Sequence, residues 1–116
     1  MSLESIHPGS RIGHVHLKVS DLDRSEAFYR EVIGFEVTMR GEGLVFMSAG
    51  GYHHHLALNS TISGGKAPAP ADTPGLLHFA ILFPRHADLV HAARRAIAHG
   101  VHFHGASDYG YSIAVY

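Results

Sequence analysis

Residues 11–19 read RIGHVHLKV, and the interpretation of the whole chain turns on them. Apolar and polar residues alternate, as on a half-buried strand whose side chains point to opposite faces with period two. Val15, Leu17 and Val19 form the apolar face, and His14, His16 and Lys18 the polar one. Two readings of the histidines stay open at this point. They are a solvated strand face, or they are imidazoles offered to a metal from a rigid support. A second stretch bears on the choice. Residues 76–83, LLHFAILF, place Leu77, Phe79 and Ile81 on one face and His78 with Ala80 on the other.

The chain between these stretches fills out a unit. Asp21 and Asp23 are candidate helix N-caps, and Asp23 with Glu26 has capping-box spacing. Leu22, Phe28, Tyr29, Val32 and Ile33 gather on one side of a helix, which Gly34 ends. Residues 35–40 alternate as a second strand. Gly41-Glu42-Gly43 turns the chain into a third strand over 44–49. Gly50-Gly51 turns it again into a fourth over 52–59. The order is β-α-β-β-β. Residues 60–74, rich in Gly, Pro, Ala and Ser, then read as a connector or a functional loop.

After this linker the pattern recurs. Residues 76–83 are a strand, Pro84 opens a helix carrying Leu89, Ala93 and Ile97 on one side, and Gly100 closes it. Residues 101–106 and 111–116 are two more strands. The helix-ending glycines, Gly34 and Gly100, are 66 residues apart. The same offset applied to His55, in the fourth strand, lands beyond Tyr116. The expectation is an α+β domain of two paired βαβββ modules, their curved mixed sheet enclosing a cleft, with the last strand of the second module absent. Module one spans about 11–59, the linker 60–74 and the truncated module two 75–116, all within one domain.

Composition narrows the function classes. A chain of 116 residues suits one domain with a real core. With 46% apolar and 16% charged residues it is globular and not disordered. A net charge of −1, with no basic stripe, argues against a nucleic-acid partner. The absence of cysteine excludes disulfides and thiolate-bound zinc, and suits the cytoplasm. No window reads as a signal peptide or a membrane span. The unusual number is twelve histidines. His53, His54 and His55 lie mid-chain, where a terminal tag would not be, whereas His86, His91 and His99 fall on the second helix and read as surface residues.

His16 and His78 occupy corresponding first strands, each opposite the helix-packing residues. Pairing of the modules would aim both imidazoles into one polar cleft. Two imidazoles in such a cleft suit a first-row divalent metal, and a carboxylate as third ligand would give the facial triad of nonhaem iron(II) enzymes. His53, His55, Ala57 and Asn59 share the polar face of the fourth strand.

The stretch GHVHLKVSDLDRSEAFYREVIGFEV resembles the opening strand and helix of the vicinal oxygen chelate superfamily, which contains glyoxalase I, type I extradiol dioxygenases and bleomycin-resistance proteins. GGYHHHLALN and GLLHFAIL more narrowly resemble small bacterial catechol-2,3-dioxygenase-like proteins. The resemblance runs from about residue 12 to 116. It implies His16 and His78 as metal ligands, with a third, a glutamate, in a segment that normally follows the match to SIAVY and would lie past Tyr116. His55 resembles the position supplying an extra carboxylate ligand in glyoxalase I, and so stands as a substitute ligand or proton carrier. The acid–base histidine that the resemblance places shortly before the final strand is matched here by SDYGYS, with Tyr109 and Tyr111 in place of a histidine. Those tyrosines, or Tyr116, are candidates to position a substrate oxygen, although a phenol with a pKa near about 10 is a poor base at neutral pH. His102 and His104 lie close by.

The resemblance implies a metal-dependent enzyme, first an extradiol, catechol-cleaving dioxygenase using Fe(II) and dioxygen. Its alternatives are a glyoxalase-like lyase or isomerase and a non-catalytic binding protein of the bleomycin-resistance type, and the alternatives to Fe(II) as the divalent metal are Mn(II), Zn(II) or Ni(II). The expected substrate is a small aromatic or dicarbonyl compound. The expected assembly is a homodimer.

Overall fold

The computed structural model describes residues 4–110 and 112–116. Its elements run β1 (Val15–Lys18), α1 (Leu22–Ala27), β2 (Glu36–Gly41), β3 (Leu44–Ser48), β4 (Leu56–Asn59), α2 (His86–Ala98), β5 (Ala106–Asp108) and β6 (Ile113–Val115). The first half forms as its alternation predicts. β1 to β4 make one sheet in the order β1-β4-β3-β2. β4 lies parallel to β1, with Val15 opposite Leu56 and Lys18 opposite Asn59. β3 runs antiparallel to β4 and to β2.

One face of this sheet carries the core. Val45, Met47, Leu56 and Leu58 are buried there, and Val15, Leu17, Val19, Leu22, Tyr29, Phe35 and Val37 pack around them. These are the apolar positions of each alternating stretch, so period two and burial agree. The helix across this face starts at Asp21, whose carboxylate accepts the Arg24 N–H at 3.1 Å. Glu26 does not turn back to Asp23 as a capping box would. It accepts Arg30 at 2.6 Å and Arg40 of β2 at 2.8 Å, tying the helix to the sheet. Arg40, first among its causes, holds the Glu26 carboxyl below its ordinary value.

Past Ala27 the helix widens into a π-helical stretch, Phe28–Ile33. It ends at Gly34, whose φ of 100° is the left-handed conformation that glycine adopts without strain. The carbonyls this end leaves free are taken by α2. Arg95 Nε donates to Val32 O at 2.9 Å, and Arg95 Nη2 donates to Ile33 O. A Cβ on Gly34 would collide with that guanidinium. Gly34 therefore serves both the helix end and the approach of α2.

The loop after β4 is fastened at its start. Ser63 Oγ donates to Val19 O at 2.8 Å and the Gly65 N–H to Ser20 O at 2.8 Å. Residues 66–74 are exposed.

The second half departs from expectation at its first strand. Residues 76–83 pair with no strand among the described residues, and Leu77 and Leu82 are 93% and 91% exposed. Phe79 alone of this stretch packs against the core. Alternation makes a segment fit for a sheet, but the strand forms only where a neighbour takes up its backbone groups. α2 begins at His86 with Arg85 as N-cap, so Pro84 precedes the helix instead of opening it. The strand expected over 101–106 appears as β5 at Ala106–Asp108, and the last is shortened to Ile113–Val115; the two form a separate antiparallel pair. No helix among the described residues is long and apolar enough to cross a membrane.

Candidate functional site

The face of the first sheet opposite the helix is the natural platform for chemistry. On β1 it carries His16, and the register places His16 beside Ala57 and Ala57 beside Phe46. His14 lies two residues before His16, immediately outside β1, and so continues the same face.

The three consecutive histidines meet this platform in a way that strict alternation does not foresee. Strand β4 begins only at Leu56, and residues 52–55 form a bend. The His55 N–H donates to Met47 O at 2.9 Å, one residue out of step with the ladder that pairs Met47 with Leu56. Alternation would have placed His53 and His55 on the polar face and His54 in the core. In the structure His54 stacks on Phe46, with ring centroids 3.9 Å apart and planes 17° from parallel. Its ring also lies 4.3 Å from that of His14. Its Nδ1 is 2.8 Å from the Nδ1 of His53, so one of the two nitrogens carries the hydrogen and the other accepts it.

His54 is 9% exposed, the one buried histidine among the described residues. Burial, and after it the charges of His14, His53, His16 and His55, hold its pKa below the ordinary 6.5. Such an environment favours the neutral imidazole over its protonated form. His55 sits otherwise. Its Nδ1 accepts the Ala49 N–H at 3.2 Å and lies 3.2 Å from the buried Ser48 Oγ. Its ring packs near Tyr52 and Phe35. An Nδ1 that accepts a backbone N–H leaves the proton on Nε2.

The remaining candidates are dispersed. His16 is exposed on β1, and His78 is exposed in the unpaired stretch 76–83. Among the described residues no three histidines or acidic residues converge to hold a metal ion. The described residues thus do not by themselves fit a three-ligand centre. Tyr116 folds back within its own hairpin, its N–H donating to Gly105 O at 2.9 Å and its hydroxyl bonded to Ser107 Oγ. The Tyr109 N–H donates to Ser112 O at 2.8 Å, and its side chain is exposed. Tyr111 lies outside the described residues. His14 was read from the sequence with His16 as part of one polar strand face, and His54 is the residue that sequence reasoning passed over for the site. The signal available for His54 was the run of three histidines itself, since two adjacent residues of a regular strand cannot share a face.

Comparison with known proteins gives this platform a context. The profile of the Glyoxalase/Bleomycin resistance protein/Dioxygenase superfamily matches residues 11–112. The chain belongs to that superfamily. It is 41% identical over 86 residues to a catechol-2,3-dioxygenase of Bacillus subtilis (strain 168), a match covering 72% of this chain and 30% of that protein. It is 30% identical over 80 residues to biphenyl-2,3-diol 1,2-dioxygenase 3 of Rhodococcus globerulus, covering 69% of this chain and 42% of the other. The chain therefore spans less than half the length of these curated relatives. Among solved structures, lactoylglutathione lyase from Agrobacterium tumefaciens superposes with a TM-score of 0.70 at 29% identity, over 95% of this chain and 86% of that one. A superfamily domain from Frankia sp. EAN1pec gives 0.72 at 25% identity, over 91% and 86%. The α+β architecture expected from the sequence is the architecture of this superfamily.

Proposed function

We propose that this chain carries part or all of the catalytic unit of an extradiol-type dioxygenase that opens the ring of a catechol. The observation that carries the proposal is the constellation on the open sheet face, where His54 is buried against Phe46 and touches His14, beside His16. The 41% identity to a catechol-2,3-dioxygenase supports it. A catechol is planar and enters as a diol, so it needs an aromatic wall and a group to take a phenolic proton. Phe46 and the stacked His54 supply a wall of π-faces. With the shared hydrogen on His54 Nδ1, donated to His53 Nδ1, the Nε2 of His54 is the acceptor for the proton, and the His53 ring fixes its orientation.

Proteins of this superfamily, the dioxygenase relatives among them, generally use a divalent metal. Iron(II) is the metal proposed here, with His16 and His78 as the ligands expected from sequence and His14 as the further imidazole on the His16 face. Since the described residues do not close a three-ligand set, no step of the reaction is assigned to the metal.

A second reading is a glyoxalase-type lyase or isomerase, favoured by the superposition on lactoylglutathione lyase. There the same neutral His54 would move a proton between carbons. One experiment separates the two. Protein supplied anaerobically with iron(II) is expected to consume dioxygen with catechol and give a yellow ring-opened product. Uptake no faster than free iron across several catechols contradicts the dioxygenase reading, and oxygen-independent turnover of a thiol hemiacetal establishes the lyase.

A further inference from the structure

In a regular strand, residues three apart face opposite ways. β2 breaks that rule at Thr38. Val37 packs against the core, and Arg40, three residues on, also faces the helix, where it bonds Glu26. The ladder shows why. Val37 stands opposite Met47 and Met39 opposite Phe46, so Thr38 is one residue too many and has no partner on β3. Such a bulge bends its strand and re-aims side chains. Here the Thr38 hydroxyl reaches the histidine bend and donates to His53 O at 2.7 Å.

That carbonyl belongs to the peptide joining His53 to His54. Adjacent residues of an extended chain point to opposite faces, so two neighbouring rings meet only where the backbone between them is bent. The rings of His53 and His54 do meet, Nδ1 to Nδ1 at 2.8 Å. On its other side the His53 ring lies 4.1 Å from that of Tyr52. His54 stacks on Phe46, the residue one ladder step past the bulge. We propose that Thr38 is a positioning residue for this pair. Its hydroxyl fixes the peptide between the two histidines, which sets their shared hydrogen bond and leaves the His54 Nε2 without a hydrogen. The use of that Nε2 in turnover rests on the proposed dioxygenase reading; its placement by Thr38 does not.

The test uses the 116-residue protein with ¹⁵N-labelled imidazoles, without metal or catechol, at about pH 8, where ordinary imidazoles are neutral. The wild type should show a ¹⁵N–¹⁵N coupling between the two Nδ1 atoms, with the hydrogen on His54 Nδ1. Thr38→Val keeps the β-branched shape and removes the hydroxyl, so the coupling should be lost and His54 should become a mixture of tautomers. Thr38→Ser should keep both signals. Amide exchange in β3 and β4 should be alike in all three proteins. A coupling that persists in Thr38→Val overturns the proposal, as does its loss in Thr38→Ser or its absence from the wild type. Loss accompanied by faster exchange in β3 and β4 shows that Thr38 supports the sheet as a whole, and overturns it too. With iron(II) and catechol, Thr38→Val should lower kcat about tenfold and leave KM within about twofold. An unchanged kcat removes Thr38 from the reaction. Wild-type protein that is inactive on catechols yet shows the expected couplings rejects the dioxygenase reading and keeps the placement.

Discussion

Two stretches of this chain have the same alternation and opposite fates. Residues 15–18 form β1, with each residue in register beside one of β4 and their apolar side chains against the core. Residues 76–83 have an equally regular pattern, yet Leu77 and Leu82 stand in solvent. The difference is not propensity. It is the presence of β4, which supplies both a hydrogen-bonding edge and two fully buried leucines. A strand is a property of a pair, and the second half of the described chain lacks the partner that organises the first.

The largest test of this contrast is a matched pair of truncations. Leu58→Ala removes a side chain at the centre of the core cluster and should cost about 2–5 kcal/mol in urea unfolding. Leu82→Ala should change stability by no more than about 0.5 kcal/mol. Equal losses would mean that the second stretch is packed as firmly as the first.

A smaller effect is expected at the joint between the halves. Arg95→Ala removes the guanidinium that caps the carbonyls of Val32 and Ile33. The loss should be about 1–3 kcal/mol. Amide exchange in α2 should quicken while β3 and β4 keep their protection, and unchanged exchange in α2 would show that the helix is held by other contacts.

The smallest effect concerns pH. The folded state holds His54 below its unfolded value, so the unfolded chain takes up the proton first. Stability should therefore fall as pH drops through the unfolded value near 6.5, and level off below the folded one. In His54→Asn this part of the slope should vanish. A melting temperature whose pH dependence is identical in both proteins would place His54 in solvent.

The first half of the fold was legible because its alternation, its turn glycines and its helix cap all point to one arrangement. Gly34 was read as a helix end, but not as the space through which Arg95 of α2 reaches the helix carbonyls. The site was legible only in part. His16 could be placed on an open face from period two, whereas His54 required knowledge of the bend before β4 and of the shifted pairing at His55, which together bring its ring onto Phe46. A slip of one residue in a strand exchanges inside for outside, and no count of apolar residues reveals it. The 76–83 strand was expected because sequence shows what a segment can pair with and not whether the partner is present.

The proposed catechol site is the platform of His14, His16 and His54 against Phe46. The most direct measurement is a titration of imidazole-¹⁵N-labelled protein with 4-nitrocatechol, following the histidine side-chain resonances by NMR. His14, His16 and His54 should shift together, with His54 losing its response when Phe46→Ala removes the stacking wall. Shifts confined to His86, His91, His99 or His102, with the three platform histidines unmoved, would contradict it.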